Sequence, residues 1–283
     1  MDTRLPDIPQ ARRVTRLACA RGAVRRGERT IPEETPVALV HNGSTYAVMM
    51  ATPADFEDFG VGFSLTEGVI GSPDDVKALE VLEFDSGIEI RMWLDEARAG
   101  AMVARRRQIA GPTGCGLCGV ESLDLAVKPA RLVGEGRVFA TADIEHAIAA
   151  LRPAQALNHE TRAVHAAAFW RPEGGLLAVR EDVGRHNALD KLVGHLARRG
   201  EDAAQGLVLL TSRVSIEMVQ KAAVAGASVI VAVSAPTALA VRTAEAAGLT
   251  LVAIARDDGF EVFTHPHRIA TGTGRQESVS DVA

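Results

Sequence analysis

Leu207-Val-Leu-Leu210 is a continuous apolar run, and Val229-Ile-Val-Ala-Val233 and Leu249-Thr-Leu-Val-Ala-Ile254 repeat the pattern further along the chain. Runs of this kind are typical of strands that are buried on both faces of a parallel sheet. Helices are predicted between them, around Ile216 to Ala225 and Thr237 to Ala247. Strands that alternate with helices over short links predict an α/β fold.

The same pattern extends toward the N-terminus. Leu176 to Val179 is predicted as a fourth strand, and the helix after it places Leu189 and Leu192 on one face. Gly200 is expected to end that helix, because glycine readily adopts the left-handed conformation found at helix C-termini. A preceding helix is predicted from Thr141 to Leu151.

The first half of the chain is predicted to form a smaller α+β unit. Val37 to Val40 and Tyr46 to Met50 flank Asn42-Gly43, which is a strong signal for a tight hairpin turn. Thr52-Pro53 is predicted to cap a helix that runs to about Gly68. The other elements predicted here are strands at Val81 to Phe84 and Ile88 to Leu94, and a helix from Glu96 to Arg107.

These patterns divide the 283 residues into four parts. Residues 1–28 are rich in arginine and are expected to form a flexible, extended basic arm with one irregular strand, which is either a solvated tail or a segment that embraces a partner or a second subunit. The expected parts after it are an N-terminal subdomain at 29–138 that carries a cysteine loop, a C-terminal α/β subdomain at 139–270, and a disordered tail at 271–283.

Composition narrows the class of protein. The net charge of −5 argues against nucleic acid as a partner, although a local basic patch remains compatible with it. No apolar run approaches the roughly 20 residues of a membrane span, and Met1-Asp-Thr-Arg4 lacks the apolar core of a signal peptide. We therefore expect a cytoplasmic protein without a membrane partner.

Cys115-Gly-Leu-Cys118 is the motif that says most about chemistry. Glycines around it favour a mobile loop, and the nearby run Arg105-Arg-Arg107 favours the reactive thiolate. Zinc, a redox dithiol and a sulfur relay are the three interpretations. No second cysteine pair or suitably spaced histidine pair completes a zinc site, and the loop lies outside the regular βαβ half that a redox dithiol would favour. A relay that holds sulfur as a persulfide suits an exposed cysteine on a mobile loop best.

Polar residues follow four of the predicted strands. Because ligands bind beyond the carboxyl ends of parallel strands, these side chains should line one crevice. The polar stretches are Arg180-Glu-Asp182, Thr211-Ser-Arg213, Ser234-Ala-Pro236 and Arg256-Asp257.

Gly184-Arg185-His186-Asn187 lies between a predicted strand and helix. Backbone N–H groups, the helix dipole and a guanidinium group can all address one anion there. Asp182 and Asn187 have an alternative interpretation as helix caps, and Arg185 as a surface residue.

The histidines differ in their surroundings. His165, within an apolar stretch, and His186 are candidates for an acid, a base or a ligand contact. His265-Pro-His267 is either a metal-binding pair or an exposed turn. Surface or turn positions are expected for His41, His146, His159 and His195.

Several motifs together resemble the formate dehydrogenase accessory sulfurtransferase family, over roughly Arg29 to Ile269. The motifs that carry the resemblance are Glu34-Thr-Pro-Val-Ala-Leu-Val40, Thr52-Pro-Ala-Asp-Phe56, Gly62-Phe-Ser-Leu-Thr-Glu-Gly68, Thr113-Gly-Cys-Gly-Leu-Cys-Gly119, Arg180-Glu-Asp-Val-Gly-Arg-His-Asn-Ala-Leu-Asp-Lys191, Glu217-Met-Val-Gln-Lys221 and Val233-Ser-Ala-Pro-Thr237. Two departures are visible: Thr161-Arg-Ala-Val164 has less glycine than many members, and Thr211-Ser-Arg213 replaces Ser-Gly-Arg or Ser-Ser-Arg.

The resemblance implies a cytidine-deaminase-like three-layer fold without the deaminase zinc, and a homodimer. It also implies transfer of sulfur from a cysteine desulfurase to the molybdenum cofactor of formate dehydrogenase, bis(molybdopterin guanine dinucleotide), with no metal held by the protein alone. The alternative is a chaperone that binds this cofactor without any sulfur chemistry.

Site residues follow from the same resemblance. Cys115 matches the cysteine that carries the persulfide, and Cys118 is its companion. The segment expected to bind the cofactor is Ile254, Ala255, Arg256, Asp257, Asp258 and Gly259, and the expected neighbours are His165, Asp182, Arg185, His186, Ser212 and Arg213.

Overall fold

The computed structural model describes residues 8–95 and 129–271. The chain begins with a hairpin of β1 (Ala11–Ala20) and β2 (Ala23–Pro32), which are antiparallel and largely exposed. Arg21 and Gly22 form the turn with φ values of 50° and 77°. The prediction of a flexible arm with one irregular strand was therefore wrong for this segment, because every residue of β1, arginines included, pairs with a residue of β2 across a tight turn.

The next four strands form a second sheet. They are β3 (Thr35–His41), β4 (Ser44–Ala51), β5 (Val76–Phe84) and β6 (Gly87–Leu94). The order is β4-β3-β6-β5, with β3 parallel to β6 and the outer pairs antiparallel. The hairpin predicted at Asn42-Gly43 is confirmed, since both residues have positive φ values, of 47° and 75°.

Helix α1 (Phe56–Thr66) covers the inner face of this sheet. Phe56, Phe59 and Phe63 recur at helical spacing and pack in one buried cluster with the strands. The helix begins later than predicted, with Asp55 rather than Thr52 at its N-cap. The Thr52 hydroxyl instead accepts a hydrogen bond from the Val183 amide at 3.1 Å.

The larger sheet has six strands. They are β8 (His165–Arg171), β9 (Gly175–Asp182), β10 (Leu207–Leu210), β11 (Val229–Ala232), β12 (Thr250–Arg256) and β13 (Gly259–Thr264). Their order is β13-β12-β11-β10-β8-β9. The three apolar runs form β10, β11 and β12, which are mutually parallel as predicted. A small parallel pair, β7 (Phe139–Ala140) with β14 (Ile269–Ala270), lies beside them.

Strand β8 was not predicted. It lies between β9 and β10 and is antiparallel to both. Because β8 reverses direction, β9 points the same way as β10, so the carboxyl ends of β9 to β12 still meet at one edge. The strand could not be recognised from alternating apolar and polar residues. Residues 166 to 169 are three alanines and one phenylalanine, and all four are buried.

Helices cover both faces of the larger sheet. Helix α2 (Thr141–Ala154), followed by the short α3 (Ala156–Thr161), packs Ile144 and Leu151 on one face. The helices on the other face are α4 (Arg185–Arg199), α5 (Ile216–Val224) and α6 (Ala238–Ala247). Gly200 ends α4 in the left-handed conformation, as predicted.

Helix α1 also packs against α4, which joins the two sheets. The helices touch at Gly62 and Gly194, where a Cβ on Gly194 would lie 1.9 Å from the Asp58 carbonyl oxygen. Asp58 binds Arg180 at 2.7 Å and Arg198 at 2.6 Å across the same interface. A close backbone contact and a charge network therefore fix the relative position of the sheets.

The segment 129–138 lies against the C-terminal half, although the predicted boundary placed it in the first subdomain. Val133 and Arg137 donate backbone hydrogen bonds to Ala247 and Ala204. Arg268 donates to the Gly134 carbonyl at 3.0 Å. None of the helices in the described ranges has the length and apolar character needed to span a bilayer.

Candidate functional site at the edge of the larger sheet

Cys115 and Cys118 lie outside the described residues, as does the helix predicted from Glu96 to Arg107. The cysteine that the structure does describe is Cys19, which is exposed on the β1–β2 hairpin. The other predicted site residues all fall within the described ranges.

These residues gather along the edge where β9 to β12 end. The Thr211 amide donates to the Ala166 carbonyl at 3.1 Å, which connects the end of β10 to the start of β8. The Ile254 amide donates to the Ser234 carbonyl at 3.3 Å, which connects the ends of β12 and β11. The polar residues that follow the strands therefore line one continuous edge.

Asp182 has a different role from the ligand contact that was expected. Its side chain is completely buried, and both carboxylate oxygens accept hydrogen bonds inside the protein. Its donors are the amides of Thr52 at 3.0 Å and Gly184 at 2.8 Å, the Asn187 side chain at 3.0 Å and the Lys191 ammonium at 2.7 Å. With these four contacts, Asp182 fixes the β9–α4 turn and has no acceptor position left for a ligand.

Arg185 and His186 form the first turn of α4, and Glu217, in the first turn of α5, is near enough for its charge to act on His186. Four enclosed side-chain atoms at these two helix starts have no hydrogen-bond partner among the described residues. They are Arg185 Nε, His186 Nε2, Ser215 Oγ and Glu217 Oε2. A buried polar atom normally has a partner, so this cluster has unused capacity to bind a polar ligand.

The two histidines of the edge are held neutral. Burial, with the nearby positive charges of Arg185 and Lys221, lowers the pKa of His186 to about 4. Burial and Arg185 also lower the pKa of His165, against a smaller opposing effect of Asp182. Both imidazoles can therefore donate and accept hydrogen bonds near neutral pH without carrying charge.

Lys221 connects the helices that carry the cluster. Its ammonium group lies 2.9 Å from each carboxylate oxygen of Asp190 and 3.0 Å from the Thr66 hydroxyl. Burial alone would lower the pKa of Lys221, but the carboxylates of Asp190 and Glu67 outweigh it and raise that pKa. Lys221 is thus a charged residue that ties α5 to α4 and α1.

The segment Ile254 to Gly259 forms the end of β12 and its turn into β13. Arg256 pairs with Gly259 across the turn, while Arg256, Asp257 and Asp258 are exposed. Ile254 has a φ of 52°, which is unfavourable for a β-branched residue and is often found at functional sites. Its neighbour Ala255 is buried.

Ser212 and Arg213 lie after β10. Ser212 is buried and donates to the Arg213 carbonyl at 3.0 Å, and Arg213 is exposed. The preceding Thr211 accepts a hydrogen bond from the Ala166 amide at 2.8 Å, so the threonine that departs from the family pattern has a structural partner here.

The edge is long. Four strand spacings separate β9 from β12, or about 19 Å at the usual distance between neighbouring strands. The α4–α5 cluster and the Ile254–Gly259 segment are therefore two separate regions of one edge.

Other histidine predictions have mixed outcomes. His41 is completely buried and bonds the Ser64 hydroxyl at 2.9 Å, so the prediction of a surface position was wrong. His146 and His159 are exposed, as predicted. His265 bonds the Glu245 carbonyl at 2.8 Å, and within the described ranges no histidine, cysteine or acidic residues group in a way that could hold a metal ion.

Ser215 and Glu217 were missed as site residues. Glu217 appeared only within a family motif, and the sequence places it about 30 residues after His186. The available signal was its position in the first turn of a helix that follows a parallel strand.

The chain resembles known proteins over most of its length. Residues 32–270 match the model of the FdhD/NarQ family. It is 54% identical to a protein of Agrobacterium fabrum named sulfur carrier protein FdhD, over 91% of this chain and 96% of that one. A protein of the same name from Brucella abortus is 53% identical over 92% of this chain and 97% of its own.

A solved structure agrees with the sequence comparisons. The crystal structure of a protein assigned as a formate dehydrogenase accessory protein from Desulfotalea psychrophila superimposes with a TM-score of 0.72 and 26% identity. The match covers 93% of this chain and 100% of the other. The mixed α/β fold is common to both, and the chain belongs to the FdhD/NarQ family.

Proposed function

We propose that this protein is a sulfur carrier in the maturation of formate dehydrogenase. The observation that carries the proposal is the Cys115-Gly-Leu-Cys118 motif in a chain that is 54% identical to a protein named sulfur carrier protein. The solved relative, assigned as a formate dehydrogenase accessory protein, supports the same process.

The proposed first step is persulfide transfer from a cysteine desulfurase. The Cys115 thiolate attacks the outer sulfur of the desulfurase persulfide, so a new S–S bond forms on Cys115. The S–S bond of the donor breaks and the donor thiolate leaves, so no external oxidant is needed. Sulfurtransferase is therefore the proposed enzyme class.

The proposed acceptor is the molybdenum cofactor, bis(molybdopterin guanine dinucleotide), as a substrate of the transfer. An edge of about 19 Å with two polar regions suits an extended ligand of this kind. At one region Arg185 and the neutral His186 offer polar atoms, and at the other Arg256, Asp257 and Asp258 are exposed. Arg213 is exposed between them and is available for a phosphate.

The persulfide is tested by mass spectrometry after incubation with a cysteine desulfurase and cysteine. We expect a gain of one sulfur, about 32 mass units, on Cys115. Cys115→Ser should abolish the gain, while Cys19→Ser, which changes an exposed cysteine on the hairpin, should leave it intact. In cells, Cys115→Ala should leave formate dehydrogenase present but inactive, and full activity would refute the role.

The alternative is a chaperone that binds the cofactor without sulfur chemistry. The unpartnered polar atoms of the α4–α5 cluster are equally compatible with this role. Tight binding of a guanine nucleotide without any persulfide on Cys115 would favour it.

Further parts of the proposal rest on the family resemblance. They are the cytidine-deaminase-like character of the larger sheet with its helices on both faces, a homodimer, a cytoplasmic location, and a division into two subdomains, with residues 129–138 part of the second. The exposed arginines of the β1–β2 hairpin are available to contact a partner.

A further inference from the structure

The α4–α5 cluster contains more unsatisfied polar atoms than its structural role explains. Arg185 Nε, His186 Nε2, Ser215 Oγ and Glu217 Oε2 are enclosed and lack partners among the described residues. Each such atom costs about 1–3 kcal/mol of desolvation when it stays unpaired. Four of them at two adjoining helix starts are evidence of a ligand contact.

The cluster has a defined hydrogen-bonding character. Arg185 Nε can only donate, and a Glu217 carboxylate oxygen can only accept. Ser215 and the neutral His186 can do either. Neither Arg185 nor Glu217 forms an ion pair within the described part of the chain, so both charged groups keep their capacity for a ligand.

This character excludes some simple ligands. A phosphate would suit Arg185 but would be repelled by the carboxylate of Glu217, and a metal cation would be repelled by Arg185. A neutral ligand with donors beside an acceptor satisfies both residues at once. It would present its N–H groups to Glu217 and a carbonyl oxygen to Arg185.

We infer that Glu217 and Arg185 bind the hydrogen-bonding edge that guanine and pterin share, in which a ring N–H lies between an exocyclic amino group and a carbonyl. The amino group and the ring N–H donate to Glu217, and the carbonyl accepts from Arg185 Nε. This inference rests on the proposed function, because the proposed cofactor contains both ring systems.

The position of the cluster agrees with this assignment. Glu217 is in the helix that follows β10, and β10 lies two strand spacings, or about 10 Å, from β12. One ring system can bind at α4–α5 while another part of the same cofactor reaches Ile254–Gly259. Glu217 would thus determine which ring edge is accepted.

Calorimetric titration of the full chain with two pairs of probes tests the inference. GDP and IDP differ only in the exocyclic amino group of the base, and pterin and lumazine differ at the same position. We expect the amino-bearing member to bind about 10- to 100-fold more tightly in at least one pair, as for hydrogen bonds to a charged group. The pair that discriminates identifies the ring system.

Two variants separate the two contacts. Glu217→Gln should reduce the discrimination within that pair to about threefold or less, because an amide in place of the carboxylate cannot accept both N–H groups with a full charge. Arg185→Met should weaken the binding of both members of the pair by a similar factor, about tenfold, since both carry the carbonyl. Glu145→Gln, which changes an exposed glutamate on α2, should alter neither value.

The outcomes are distinguishable from those of the sulfur role. Equal binding of both members in both pairs by the unchanged protein, or an absence of binding, overturns the inference whatever the variants do. So does undiminished discrimination in Glu217→Gln. Persulfide formation on Cys115, measured on the same samples, should be unchanged in Glu217→Gln, and its absence from every sample would instead count against the proposed function.

Discussion

Asp182 and Lys191 form an ion pair of 2.7 Å between two side chains that are both completely buried. Both partners also bond the backbone of Thr52, at 3.0 Å from its amide and 2.9 Å from its carbonyl. Thr52 belongs to the link between β4 and α1, whereas Asp182 ends β9. The pair therefore connects the smaller sheet to the edge that carries the candidate site.

Asp182→Asn should destabilise the protein by about 3–5 kcal/mol, because Lys191 would remain charged and buried without its counter-ion. Urea denaturation measures the free energy of unfolding. Asp257→Asn is the matched control, since its ion pair with Arg152 is exposed and should contribute less than about 1 kcal/mol. An equal loss of unfolding free energy for the two substitutions would show that the buried ion pair stabilises the protein no more than the exposed one.

Gly194→Ala should weaken the contact between α1 and α4, because the new Cβ would lie 1.9 Å from the Asp58 carbonyl oxygen. The helices must separate to accept it, at a cost of about 1–3 kcal/mol or more. Thermal denaturation reports the loss. Gly27→Ala, where nothing lies within 4 Å of the new Cβ, should not lower the melting temperature, and a Gly194→Ala protein as stable as the unchanged chain would contradict the close contact.

Removal of the Asp58 carboxylate should also loosen this interface. Burial raises the pKa of Asp58, but hydrogen bonds and charges from Arg180 and Arg198 outweigh it, so the pKa is lowered overall. Asp58→Asn should cost about 1.5–3 kcal/mol, the range for hydrogen bonds to charged groups. The measurement is urea denaturation at neutral pH, and a loss below about 0.5 kcal/mol would show that the network is dispensable.

Stability should fall in mild acid because of His41, which is completely buried, and His186, which is partly buried. Burial lowers the pKa of His41 from 6.5 to about 4, and the pKa of His186 is lowered to about 4 as well. Between about pH 6.5 and pH 4 the unfolded chain therefore binds protons that the folded protein does not bind. This contribution is complete above pH 6.5 and is lost as pH falls toward 4, by about 2 kcal/mol for each histidine at about pH 5.

His41→Gln isolates one of these contributions. The amide keeps a polar group near Ser64 but takes up no proton, so the loss of stability between about pH 7.5 and 5 should shrink by about 2 kcal/mol. His146→Gln changes an exposed histidine and should leave the pH dependence unchanged. An identical pH profile for His41→Gln and the unchanged chain would contradict the lowered pKa.

Local patterns were enough to predict most of the elements. The runs at Leu207, Val229 and Leu249 predicted three parallel strands because buried strands need apolar residues on both faces. Asn42-Gly43 predicted its hairpin because the turn requires positive φ at both residues. Gly200 predicted a helix end for a similar reason.

Sequence patterns gave wrong predictions where a residue's structural role depends on a partner that is distant in sequence. Strand β8 lacks alternation because both of its faces are covered, and His41 looked like a turn residue because Ser64 and α1 cannot be seen from its neighbours. Thr52 resembled a cap, yet its partner is Val183.

The cysteine motif, the family and the strand ends where polar residues gather can be predicted from local sequence, since each depends on residues close together in the chain. Which of those residues are free to bind depends on the packing of the whole chain. The amides of Thr52 and Gly184, the Asn187 side chain and the Lys191 ammonium occupy every acceptor position of Asp182, whereas Arg185 Nε and Glu217 Oε2 lack partners among the described residues. A hydrogen bond is satisfied by proximity in space, and only the packed helices and strands establish that proximity.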